Sequence, residues 1–482
     1  MIKEILRFEH VTYEKEGIIF LNGIHFNVYE GEIFGIISPS NHGKSELIEL
    51  IQSNQRIQQG RILIDEEVVN TYKRAYKTRN KVTLIEHQSH LIDVLSIADN
   101  IFVMQPGFPQ ELIAENQLIR QLQPYLDAIG ISLNPLELVE NLSVFERLVV
   151  ELLRAVVCGS RLIMINEIAS ILGQSDLKKY QRLLRDYTQQ GYTFVYFCNH
   201  HEEAFQICDR LGIMEYGEMI KVLQNREFSD NVMKYFSFDF NQLSVFPLDD
   251  NDGNLLVLNH VACEEIRDVT FSLRAGECLV ILDQNNTTLD SFNRLFTQQA
   301  ELTKGQMIMM GSSFFSDERN TAKVSFIPQY PVETVLIESL SVLDNLLIDL
   351  KRKIPRFWNA SRTRKRVYQE MKPVFNDYLD KQDISALDIH VLYQLVYYKT
   401  IVYSPRVVVI TQPFSYADMY LRQDIIHLIS EIKRRKIAVI ILAVNIADSL
   451  FVAEHLLVVQ GGCSIALYES SEFAHLRNKL ER

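Results

Sequence analysis

Two stretches of the chain share one hydrophobic pattern. In LNGIHFNVYEGEIFGII (Leu21 to Ile37) apolar and polar residues alternate up to the pair Gly31-Glu32, and a continuous apolar run follows. IRDVTFSLRAGECLVIL (Ile266 to Leu282) repeats this around Gly276-Glu277. Alternation predicts a strand with one buried face. The solid apolar run predicts a strand buried on both faces, as in a parallel sheet. The copies lie 245 residues apart, and because that spacing recurs at several later motifs the chain reads as two halves with few net insertions between them. The most apolar stretch, Ile437 to Val459, is interrupted by Asn445, Asp448, Glu454 and His455. A membrane span needs about 20 mostly apolar residues, so this stretch reads as strand, helix and strand.

Composition narrows the class. With 482 residues, 47% hydrophobic and 23% charged, the chain fits a globular protein of more than one core. Its net charge of -12 argues against a nucleic-acid binder that works by neutralising phosphates. The six cysteines (Cys158, Cys198, Cys208, Cys263, Cys278, Cys463) form no C-x-x-C pair and read as reduced core thiols of a cytosolic protein. The opening MIKEILRFEH has no apolar core of a signal peptide. Only 19 residues are glycine, about 4% against roughly 7% on average, and the loops that ought to be rich in glycine are the ones that have changed.

The first half carries a phosphate-loop pattern. After the strand come Ser38-Pro39-Ser40-Asn41-His42-Gly43-Lys44-Ser45 and the helical ELIELIQS. This is G-x-x-x-x-G-K-[ST] with Ser38 in place of the first glycine. Loop amides and a helix N-terminus suit phosphate oxygens. Lys44 would set its ammonium between the terminal phosphates, and the Ser45 hydroxyl would be a Mg²⁺ ligand.

Further motifs make the chain resemble the ABC (ATP-binding cassette) ATPase family. Asn141-Leu142-Ser143-Val144-Phe145-Glu146-Arg147 resembles the signature L-S-G-G-Q, and Arg161 to Glu167 (RLIMINE) resembles Walker B. Cys198-Asn199-His200-His201 resembles the switch-histidine loop, and Ile85-Glu86-His87-Gln88 with Leu95 to Ile101 resembles the Q-loop region. Tyr13 sits where the family places its adenine-stacking aromatic. Two cassettes in this length, with phrases such as LSIADNIF, are most similar to the ATPase subunit of monosaccharide importers. The resemblance implies an α/β protein of two tandem P-loop ABC ATPase domains, each with a RecA-like parallel-sheet core, an antiparallel β subdomain and a helical signature subdomain. It places domain 1 at residues 1–235, a linker at 236–254 and domain 2 at 255–482. It implies ATP or ADP with Mg²⁺ at Tyr13, Ser38, Asn41, His42, Gly43, Lys44, Ser45 and Gln88, metal ligation by Ser45 and Asn166, and catalysis by Glu167 and His200.

Departures from the family pattern weaken that chemistry. Asn166 replaces the Walker B aspartate and removes one negative charge from the Mg²⁺ site. Phe145 replaces the first signature glycine and reads as packed core. His87 aligns with the Q-loop glutamine and Asn199 with the switch histidine. Gln88 and His200 stand one place late, and a one-residue slip in either loop leaves both assignments open. In the second half, Leu289 and Asp290 stand at the equivalents of Lys44 and Ser45, in the loop Asp283-Gln284-Asn285-Asn286-Thr287-Thr288. Carboxylates there are expected to repel nucleotide. Thr411 and Gln412 stand at the equivalents of Asn166 and Glu167, Leu387-Asp388-Ile389-His390 at the signature, and Gln329 near a Q-loop. Family cassettes pair head to tail, so Lys44 is expected to face Leu387 to His390 and Ser143 the altered loop.

Between Lys351 and Arg366 lie eight Lys/Arg residues and Trp358, a solvated helix face or a docking patch for a permease or anionic lipid. Tyr393, Tyr397 and Tyr398 read as helix packing. Three functions follow: a cytoplasmic ATPase subunit docked on membrane permease subunits at the inner face, a non-hydrolysing pseudo-ATPase that regulates or scaffolds, and a ribosome-associated tandem cassette. The acidic charge and short linker count against the last.

Overall fold

A computed structural model describes residues 3–71, 80–102, 115–229, 253–352, 360–415, 417–445 and 448–473. The chain divides into two compact units, Met1–Phe238 and Asp239–Arg482. The expected linker, at residues 236–254, lies almost wholly outside the described residues, as do residues 353–359 of the basic stretch, Trp358 among them.

The first unit contains β1 (Glu4–Lys15), β2 (Ile18–Tyr29), β3 (Ile33–Ile37), β4 (Gln59–Ile64), β5 (Glu67–Thr71), β6 (Val82–Glu86), β7 (Leu162–Asn166), β8 (Thr193–Cys198), β9 (Arg210–Glu215) and β10 (Glu218–Gln224). Its main helices are α1 (Lys44–Gln52), α2 (Ile97–Phe102), α3 (Glu115–Ile129), α4 (Val144–Val157), α5 (Gln174–Gln189) and α6 (His201–Ile207). An antiparallel sheet has the order β2-β1-β4-β5. A second sheet, parallel apart from its antiparallel β9–β10 pair, has the order β10-β9-β3-β8-β7-β6.

The second unit contains β11 (Leu256–Cys263), β12 (Ile266–Leu273), β13 (Cys278–Asp283), β14 (Lys304–Met309), β15 (Ser312–Ser313), β16 (Val324–Ile327), β17 (Val407–Thr411), β18 (Ala438–Ala443), β19 (His455–Gln460) and β20 (Cys463–Glu469). Its helices are α7 (Leu289–Phe296), α8 (Pro331–Val335), α9 (Val342–Leu347), α10 (Ala360–Phe375), α11 (Ile389–Tyr403) and α12 (Met419–Arg434). Its strand order, β15-β14-β11-β12-β20-β19-β13-β18-β17-β16, reproduces both arrangements of the first unit, strand for strand. A single bridge between Asp268 and Cys463 joins them into one sheet.

The solid apolar runs do what their pattern requires. On β3, Ile33 and Ile37 enter a core shared with α2 to α5, while Phe34 and Ile36 enter one shared with α1 and the antiparallel sheet. On β13, Cys278, Val280 and Leu282 face the helical side, and Leu279 and Ile281 the other. A strand covered on both faces has no polar side to spare. The tyrosines of α11 are packing residues, with Tyr397 buried in the helical core and Tyr398 packed against it.

The repeat extends to individual buried hydrogen bonds. Asn100 accepts from the Ile92 amide (2.7 Å) and donates to the carbonyls of Ile92 and Ser96 (both 3.0 Å). Asn345 accepts from the Ile337 amide (2.9 Å) and donates to the carbonyls of Ile337 (3.0 Å) and Ser341 (3.2 Å). Both asparagines are buried, and each satisfies backbone groups of the turn that leads into α2 or α9. Arg154 donates to the His90 carbonyl (3.1 Å), and Lys399 to that of Val335 (2.8 Å).

Asn100→Ala and Asn345→Ala should each destabilise their own unit by about 2–4 kcal/mol, because several buried backbone groups lose partners at once. Chemical denaturation followed by peptide-resolved hydrogen exchange checks the size and location of each loss.

Candidate functional site

The parallel order of the first unit sets the carboxyl ends of β3, β8, β7 and β6 side by side, with Ile37 opposite Cys198, Asn166 opposite Phe197, and Glu86 opposite Asn166. The turns that follow these strands therefore converge, and this edge is where parallel α/β sheets hold ligands. Three turns bring the expected residues together.

The first turn, 38–43, runs into α1. Gly43 caps the helix in the left-handed conformation (φ 79°) without a side-chain hydrogen bond. A Cβ there would lie 2.3 Å from the Phe20 carbonyl oxygen, so glycine is required both by conformation and by the close approach of β2. Ser38 is buried and donates to the Ser40 carbonyl. The Ser40 hydroxyl is buried without a hydrogen-bond partner. His42 contacts the Ile19 carbonyl (3.0 Å) and stacks on Phe20 (centroids 5.3 Å apart), so it anchors the loop to β2. Asn41 and Ser45 are exposed.

Lys44, the first residue of α1, is 5% exposed. Its ammonium pairs with the Glu167 carboxylate and lies 3.5 Å from Asn199 Oδ1. Glu167 follows β7 in the left-handed conformation (φ 53°) and donates its amide to the Phe197 carbonyl at 3.0 Å. That strained placement aims the carboxylate at the loop, and strain of this kind concentrates at functional sites. Asn166 Oδ1 is buried without a hydrogen-bond partner.

Several expectations need correction. Tyr13 is 6% exposed, belongs to the core beneath β1, and donates its hydroxyl to Gln55 (3.1 Å). Burial raises its pKa, and a ring so packed offers no face to adenine. The aromatic pair beside the phosphate loop is Phe20 with His42, and no motif pointed to Phe20. Gln88 is exposed, whereas His87 is half-buried within electrostatic reach of both Glu167 and Lys44. The unslipped alignment therefore describes this loop. Burial holds His87 below the ordinary imidazole range, against the opposing pull of Glu86 and Glu167. In the switch loop Asn199 Oδ1 lies 3.5 Å from the Lys44 ammonium, and His200 occupies the N-cap position of α6 without a side-chain capping hydrogen bond. Phe145 packs at the start of α4 against the helical core with Lys179 over its ring (5.6 Å). Ser143 closes a capping box with Glu146.

The donor set suits an anion. The turn carries a buried ammonium, a helix N-terminus without a side-chain cap and the unpartnered Ser40 hydroxyl, and left-handed Glu167 presents a carboxylate already held by the lysine. A polyphosphate fits this cradle. Magnesium carried on it would find the Ser45 hydroxyl and the Asn166 amide. Among the described residues no three His, Cys, Asp or Glu side chains cluster for a metal.

Residues 21–170 match the family described as ABC transporter. The chain is 23% identical over 466 residues to the ribose import ATP-binding protein of Geobacillus kaustophilus, covering 94% of each chain. It is 21% identical over 481 residues to the xylose import ATP-binding protein of the same organism, covering 95% of this chain and 94% of that one. A solved ATP-binding cassette of an ABC transporter, in its ADP conformation, shares 18% identity with a TM-score of 0.42, covering 46% of this chain and 92% of that one.

Two outcomes follow. Glu167→Gln frees Lys44 and removes one negative charge, so the chain should bind inorganic pyrophosphate roughly three- to tenfold more tightly, an effect of about 1 kcal/mol, as read by titration calorimetry. The His87 ring should titrate below the usual imidazole value near 6.5 when followed by NMR. A folded-state pKa below the unfolded value means that the unfolded chain takes up the proton first, so this residue costs stability as the pH falls below that value. His87→Gln should remove that part of the acid sensitivity.

Proposed function

We propose that this chain, which carries an ABC transporter domain at residues 21–170, is an ATP-binding subunit of the kind found in sugar import. In this reading nucleotide is held by the first unit alone and hydrolysed weakly or not at all. The single observation that carries the reading is the contrast between the two strand-to-helix turns: one presents Lys44 and the other presents the buried carboxylate of Asp283. Similarity across 94% of the chain to a ribose import ATP-binding protein supplies the transport context.

Lys44 would leave Glu167 for the terminal phosphates, and Glu167 would then be the carboxylate available to orient a water. ATP brings the phosphoryl group whose transfer defines the reaction, and Mg²⁺ the charge that offsets it. Weak turnover follows from Asn166, which contributes no charge to magnesium, from Phe145 at a signature glycine, and from the lack of a carboxylate at Gln412. Domain 1 is taken as residues 1–235, the linker as 236–254 and domain 2 as 255–482.

Membrane permease subunits are the partners we propose. Ile92, Val94, Leu136 and Leu138 are exposed in the first unit near the Arg147–Asp93 ion pair (2.6 Å), a surface that an apolar loop with a polar rim would cover. No helix among the described residues is long and apolar enough to cross a membrane, so attachment at the inner face would come through such a partner. A second reading, a non-hydrolysing regulator or scaffold, is favoured by Asn166 and Asp283 and differs in having no permease.

The purified chain should bind ATP with an affinity that falls at least tenfold in Lys44→Ala and changes less than tenfold when magnesium is chelated. Its turnover should lie below about 0.01 s⁻¹, since ordinary enzymes reach 1 s⁻¹ or more and each lost transition-state contact costs about two orders of magnitude. Turnover above about 1 s⁻¹ would overturn the impaired-site reading. Co-purification with a multi-span membrane protein separates the subunit from the free regulator.

A further inference from the structure

The second unit has a turn of the same form between β13 and α7, and its first residue differs in kind from its counterpart Ser38. Asp283 stands where Ser38 stands in the other half. It is 0% exposed. Its Oδ2 accepts hydrogen bonds from the Thr287 and Thr288 amides (2.6 Å each) and from the Thr288 hydroxyl (2.9 Å), and its Oδ1 accepts from the Asn285 amide (3.1 Å). Asn286, in the left-handed conformation (φ 53°), bends the loop so that these groups point inward.

A buried carboxylate without a cation is costly unless several donors meet it. Here none of the four donors is cationic, and three are main-chain amides of a strand-to-helix turn, the arrangement that elsewhere binds a phosphate. Leu289, at the position of Lys44, is buried in apolar core, so the one cation of the cradle has been lost together with the need to attract an anion. The turn is therefore not a repulsive ruin.

We infer that Asp283 is a resident anion: its carboxylate occupies the place a phosphate group takes in such a cradle, which closes the second unit's turn to polyphosphates and keeps it folded without ligand. The contact is autoinhibitory in the literal sense, because a latent anion site is held shut by the chain's own side chain. The inference does not depend on Lys44 binding nucleotide.

The test uses the full-length chain carrying Lys44→Ala, so that the first unit's cradle does not contribute. In this background, thermal unfolding at constant ionic strength should be insensitive to inorganic pyrophosphate. Adding Asp283→Ala should lower the second unit's transition by about 5 °C or more, and pyrophosphate should restore at least half of that loss in a saturable way. A transition unchanged by Asp283→Ala, or one lowered but indifferent to pyrophosphate, overturns the inference. Hydrogen exchange provides a measurement that holds even if that variant fails to fold. In the unmodified chain, peptides spanning 284–290 should be protected without ligand and unchanged by ATP. Asp283→Asn, which keeps the shape and loses the charge, should speed their exchange at least tenfold. Exchange at open-loop rates in the unmodified chain, or unchanged protection in Asp283→Asn, contradicts it.

Discussion

Main-chain amides that converge at a strand-to-helix turn must be met by an acceptor, and the helix behind them favours a negative one. Both units of this chain are built around that demand. The first meets it with a turn whose lysine, Lys44, is paired with Glu167, and in the function proposed above an incoming phosphate supplies the acceptor. The second meets it from within, by a fully buried carboxylate. The chemical difference between the halves comes down to where the anion originates.

Around that difference the scaffold is conserved to a fine level. Glu167 and Gln412 follow equivalent strands in the same left-handed conformation, and their amides donate to Phe197 and Leu442 in the same register. Gln412 no longer carries a charge; it bonds Gln329 (3.3 Å) and Ser415 (2.9 Å). The left-handed backbone is thus present in both units, with a carboxylate in one and an amide in the other. The buried asparagines Asn100 and Asn345 likewise persist because backbone polar groups need partners whatever the unit does. Packing and polar satisfaction constrain both copies, whereas phosphate chemistry constrains only one.

Much of this was legible in the sequence. The 245-residue spacing, the double-faced strands and the strand–loop–helix at Lys44 depend on periodicity and residue type, and both units have the expected parallel cores. What the sequence did not disclose depends on side-chain direction. Tyr13 lies on a strand whose alternation marks it as inward-facing, yet its family position suggested a ligand contact; burial won. Asn199, just beyond β8, lies 3.5 Å from the Lys44 ammonium, and His87, just beyond β6, lies half-buried within electrostatic reach of it, which the motif alignment alone left open. Asp283 reads in sequence as a charge that repels, and only its four donors turn it into a ligand of its own loop.

The most direct measurement of the account is nucleotide stoichiometry by native mass spectrometry of the intact chain with a non-hydrolysable ATP analogue. One cradle open and one closed from within predicts a single bound nucleotide at saturation, crosslinking to peptides around Lys44. Two nucleotides per chain, or one crosslinked at residues 283–290, would contradict it.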